Sequence, residues 1–89
     1  MHSSAAQTLA LKALGYLAGD GENLLRFLRI SGLAPDDLRQ RAGDPELLAA
    51  VTDFLLSDEA LCPGFLTTER IDSKMLHAAR RALPGAAES

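Results

Sequence analysis

The sequence predicts an all-α fold, a compact orthogonal bundle of five to six short helices, and three observations carry that expectation. Of 89 residues, 17 are Leu and 15 are Ala, both strong helix formers. No stretch alternates β-branched and polar residues in the manner of a strand. Two stop-and-restart signals, Gly19-Asp20-Gly21-Glu22 and Gly43-Asp44-Pro45-Glu46, punctuate the chain. In each, a glycine is free to take the left-handed conformation that ends a helix. The aspartate after it can accept from the orphan N–H groups of the next helix, and the glutamate places negative charge in that helix's first turn.

The first helix is expected over about Ala5 to Ala18. At about 100° per residue, Ala6, Leu9, Ala10, Ala13, Leu14, Tyr16 and Leu17 share one arc, with Leu11 and Lys12 opposite. The second, Gly21 to Ser31, has an apolar arc of about 220° made by Leu24, Leu25, Phe27, Leu28 and Ile30, which predicts the most enclosed helix of the bundle. Gly32 suits its C-cap, and Leu33 suits the hydrophobic contact that accompanies such a cap.

Pro35 fits the first position of a short third helix reaching Ala42, with Asp36 and Asp37 in its first turn and Ala34 as a poor N-cap. The fourth helix starts at Pro45. Leu47, Leu48, Val51, Phe54 and Leu55 form a stripe about 120° wide, into which Asp58 would intrude. The helix is therefore expected to end near Ser57, with Ser57 or Asp58 capping the next segment. A fifth helix over about Pro63 to Arg70 tolerates its proline in the first turn. Asp72 or Ser73 caps the last, which runs to Leu83 with Leu76, Met75, Ala79 and Ala82 on its inner face. One domain over residues 1–84 and a disordered tail over 85–89 are expected.

Charge and composition narrow the function classes. A net charge of −3 and an isoelectric point near 5.2 argue against a general polyanion binder. The lone cysteine, Cys62, leaves no internal disulfide to form, as suits a reducing compartment. The N-terminus lacks a basic signal-peptide region, and no apolar run approaches the ~18 residues of a membrane span. A cytoplasmic protein without a membrane partner is expected.

The strings Gly-Tyr-Leu-Ala (15–18), Arg-Phe-Leu (26–28), Ser-Gly-Leu (31–33), Asp-Leu-Arg (37–39) and Ala-Gly-Asp-Pro-Glu-Leu-Leu-Ala-Ala-Val (42–51) stand beside Asp-Phe-Leu-Leu (53–56) and Asp-Glu-Ala-Leu (58–61). Together they resemble an uncharacterised family of small alphaproteobacterial proteins known only as a domain of unknown function. The resemblance covers residues 6–83. It departs at Ala34, where a capping residue is usual, and at Cys62-Pro63-Gly64, where a plainer apolar run is usual. It implies a bacterial origin and supports the helical fold, and it brings no activity, substrate or catalytic residue with it.

The residues that could carry chemistry are few. Asp20/Glu22 and Asp44/Glu46 lack the ligand number and spacing of a cation loop, and capping explains them. Cys62 lies near a helix start, where the dipole lowers a thiol pKa, and His77 is the one plausible base, since His2 sits in an end expected to be unstructured. Without an orienting third residue they make a thin case for a thiol enzyme, and Cys62 reads better as a small buried group. The motifs of zinc peptidases, serine hydrolases and phosphate-binding loops are missing. No cofactor or metal is expected.

Charge segregates along the chain. Residues 44–59 hold five acids and no base, and residues 70–81 hold four bases and one acid. On the last helix, Lys74, His77, Arg80 and Arg81 fall within about 120°, opposite the apolar face. They form either a solvated face or a docking strip for an acidic partner. Leu11 and Leu56 point away from their helices' core arcs and are expected to pack under neighbours, a partner surface being the alternative. The expected function is a non-enzymatic protein-interaction module that binds another protein or a second copy. The alternatives are a helix-turn-helix-like nucleic-acid binder, disfavoured because the fourth helix has no Lys or Arg, and a thiol enzyme using Cys62 and His77.

Overall fold

The computed structural model describes residues 2–83 and contains six helices: α1 Ser3–Ala18, α2 Gly21–Ser31, α3 Pro35–Gln40, α4 Pro45–Ser57, α5 Cys62–Glu69 and α6 Ser73–Arg81. No strand occurs among the described residues, and the fold is all-α. The expected tail, 85–89, lies outside them.

The helix starts are set by the side chains the sequence offers. Asp20 Oδ1 accepts from the Glu22 and Asn23 N–H groups, Asp44 Oδ1 from Glu46 N–H at 2.9 Å, and Asp72 Oδ1 from Met75 N–H at 2.9 Å. Each removes an orphan donor from a first turn. His2 is also ordered, contrary to expectation: its Nδ1 accepts from Ser4 N–H and α1 starts at Ser3. Ala34 has no side-chain acceptor, but the Asp37 carboxylate accepts the Ala34 N–H at 2.9 Å, which supplies half of a capping box.

The stop at Gly32 is as expected and others differ. Among the described glycines only Gly32 takes positive φ, at 75°. Gly19 stays right-handed at φ −74°, because short bonds from Gly19 N–H to Gly15 O and from Asp20 N–H to Leu17 O tighten the last turn instead. The other left-handed residue is Arg70, at φ 57°. Its N–H bonds Thr67 O while Ile71 N–H reaches back to Leu66 O, and Ile71 and Leu66 both pack on the core. This is a complete Schellman stop with arginine in the glycine position, so α5 closes at Glu69.

The largest correction concerns which helix is central. α2 buries only Phe27 and Leu28, whereas α4 buries Leu47, Leu48, Ala49, Val51, Thr52, Phe54 and Leu55. α4 packs against α1 and α6, and these three helices enclose most of the core with Ala6, Leu9, Ala13, Leu17, Leu76 and Ala79. Thr52, the one buried polar side chain among the described residues, donates its hydroxyl to Leu48 O at 2.9 Å. An apolar arc of about 220° exceeds what one neighbouring layer can cover. α2 therefore leaves Leu25 (55% exposed) and Ile30 (73%) at its two edges.

Two further residues depart from their expected places. Met75, assigned by periodicity to the inner face of α6, is 45% exposed, and Leu11, expected under a neighbour, is 44% exposed. Leu56 is half-buried against the core, as expected.

Candidate functional site

α4 turns its stripe of Leu47, Leu48, Val51 and Leu55 into the core, which leaves Ala50 half-buried and Asp53 and Ser57 exposed. Phe54 lies at the border, where its ring meets that of Phe27 edge-to-face at 5.4 Å and 72°, a favoured aromatic geometry. α2 leans on α4 through this pair. Beside it a groove of about 690 Å³ opens, walled by Arg26, Ile30 and Ser31 of α2 and floored by Phe27, Ala50 and Phe54. That volume lies within the ~300–1,000 Å³ of typical binding sites.

The far end of the groove is acidic and carries a small network. Asp58 follows the last turn of α4, and its Oδ1 accepts from Ala60 and Leu61 N–H at 2.9 and 3.0 Å. Those bonds, chiefly the one from Leu61, hold its carboxyl below the ordinary aspartate range, although burial opposes them. Arg26 spans the groove mouth. Its Nη2 lies 2.9 Å from Asp58 Oδ2, its Nη1 donates to Asn23 Oδ1 at 3.1 Å, and its guanidinium sits 5.6 Å from the centre of the Phe54 ring, within cation–π range. Asp58 Oδ2 is buried and receives no aligned hydrogen bond. Glu59 is exposed at the same end.

Of the four basic residues singled out on α6, one is engaged within the fold. Arg80 Nε donates to Asp53 Oδ1 at 2.6 Å, and its side chain is mostly covered (18% exposed). Lys74, His77 and Arg81 are exposed. Arg80 thus ties α6 to the flank of α4, and three of the four face solvent.

Cys62 and His77 are not joined by a hydrogen bond among the described residues. The Cys62 thiol is half-buried, and burial, reinforced by the nearby Asp58 charge, pushes its pKa up. This reverses the lowering expected from a helix start, because burial disfavours the charged thiolate and the carboxylate that caps the preceding turn adds repulsion. No cluster of three or more His, Cys, Asp or Glu suited to a metal ion exists among the described residues.

Sequence periodicity did not point to the groove. The available signal was the width of the α2 arc, which is more apolar surface than a peripheral helix can bury. Ile30 marks where the surplus falls.

Among the described residues no helix is long and apolar enough to cross a membrane. No curated protein and no solved structure matches the chain. A family described as "Protein of unknown function (DUF3572)" matches residues 3–86, a span that takes in all six helices, and the chain belongs to that family.

Proposed function

We propose that this chain is a small non-enzymatic interaction module of the cytoplasm that holds another protein on the groove between α2 and α4. The observation that carries the reading is Ile30, 73% exposed beside the Phe27–Phe54 pair. Covering an isoleucine side chain is worth about 1.5–3 kcal/mol, and the fold itself leaves that gain unused. A groove with an aromatic floor, an apolar wall and a charged rim is the arrangement of a protein interface centre.

Affinity capture from the native host tests this when wild type is compared with Ile30→Gln. Ile30 is exposed, so the variant keeps its fold, and the expected result is loss of a captured protein. Equal capture by both proteins overturns the reading.

A second surface is favoured by the exposure of Lys74, His77 and Arg81 on α6, which suits an acidic partner patch at short range. The paired change Lys74→Glu with Arg81→Glu tests it in the same capture. Nucleic acid is disfavoured, since α4 offers Glu46 and Asp53 but no base to phosphates.

A further inference from the structure

We infer that the α2/α4 groove accepts a short amphipathic helix of another protein that carries a lysine or arginine beside its apolar anchor, an inference that rests on the interaction-module reading above. Both walls of the groove are helices, whose N–H and C=O groups are consumed internally. An extended peptide laid between them would find no ladder to join and would leave its own backbone unpaired. A helix brings its backbone bonds with it.

The spacing agrees. α4 lines the groove with Ala50, Asp53, Phe54 and Ser57, the i, i+3, i+4, i+7 series of one helix face, which extends for about two turns or ~10 Å. Ala50 and Ser57, with Ser31 opposite, are small enough to let a third helix axis come close, while Ile30 and Phe54 offer the sides of a slot for one large apolar side chain.

Charge selects the partner's sign. The groove is lined by Asp53, Asp58 and Glu59 against the single base Arg26. Asp53 is engaged by Arg80 and Asp58 by Arg26, but Glu59 is exposed and has no ion-pair or hydrogen-bond partner among the described residues. An incoming ammonium or guanidinium at this end meets the Glu59 carboxylate. A partner carboxylate would meet only like charge apart from Arg26, which is already engaged by Asp58 and Asn23. The surrounding segment 44–59, with five acids and no base, extends the same field along α4.

Two labelled synthetic helices of about three turns test this by fluorescence anisotropy against the full chain. They share one leucine stripe, flanked by lysines in one and by glutamates in the other. The lysine helix is expected to bind with a dissociation constant of about 1–100 µM, at least ~10-fold more tightly than the glutamate helix at low salt, with the gap narrowing as salt rises. Glu59→Lys should erase the preference. Ile30→Gln, which changes no charge, should weaken the lysine helix by ~5-fold or more.

Equal or tighter binding of the glutamate helix overturns the inference while leaving the interaction-module reading to its capture test, and so does failure of both helices to bind. Undiminished binding by Ile30→Gln places the lysine helix elsewhere and overturns it too. A dimer in sedimentation that Ile30→Gln dissociates overturns it in favour of a second copy as occupant. Circular dichroism of both variants, each altered at an exposed side chain, confirms that they are folded.

Discussion

Gly64 sits where a Cβ would run into the hydroxyl of Tyr16. The Tyr16 ring cannot easily swing away, because it packs edge-to-face on buried Phe65 at 5.5 Å. Gly64→Ala is expected to destabilise the fold by about 1–3 kcal/mol through overpacking, measured as a lowered urea midpoint. Adding Tyr16→Phe removes the clashing oxygen and should recover most of the loss, and a double variant no better than the single one contradicts the assignment. Arg70 supplies the opposite case. It holds φ 57° at the α5 stop without an ion pair among the described residues, so Arg70→Gly relieves left-handed strain. The expected gain is about 0.5–1 kcal/mol net of the added freedom of the unfolded chain. A lower midpoint for this variant contradicts it. Legibility at this scale followed range. The caps Asp20, Asp44 and Asp72 act on neighbours two or three residues away and could be read from local spacing. Gly64 answers to Tyr16, far back in the chain on α1, so local spacing carries no sign of that contact.

α4 is the element on which the others depend; one carboxylate caps its N-terminus and another caps the turn that follows it. Asp44 is held below the ordinary 3.8, first by the Glu46 N–H and then by Arg41, and Asp58 below the same value, first by the Leu61 N–H. In each case the folded pKa is depressed, so the unfolded chain binds more protons as pH falls. The stability these groups confer is therefore complete above pH 3.8 and is lost as pH drops through the lowered folded values. Asn can still accept as a cap but does not titrate there. Asp44→Asn with Asp58→Asn is thus expected to flatten the acid limb of stability measured by urea midpoints across pH. An unchanged acid limb contradicts the assignment. Phe54→Ala should cost about 3–5 kcal/mol, since it empties the α4 side of the Phe27–Phe54 pair. A midpoint near wild type would mean that the pair does not anchor α2. The α4 stripe was readable because one narrow face meets one core. The α2 arc misled because periodicity reports how much apolar surface a helix carries, not how much of it the neighbours cover.

At the scale of the whole molecule, α1, α4 and α6 close the core and α2 lies across one side of it, with its outer edge uncovered. Fold class and a count of five to six helices were legible from Leu and Ala content and the stop signals, because short helices between capped turns have few ways to bury their stripes. The groove was not, because it arises where two helices from separate parts of the chain meet incompletely. That incomplete contact is, on the reading proposed above, the working surface of the protein. Site-specific photo-crosslinking in the native host tests it most directly, with a crosslinking amino acid placed in turn at Ile30 and at Leu11, an exposed leucine of α1 that does not line the groove. One discrete adduct with another protein is expected from position 30 and none from position 11. Adducts from position 11 alone, or none from position 30, would contradict it.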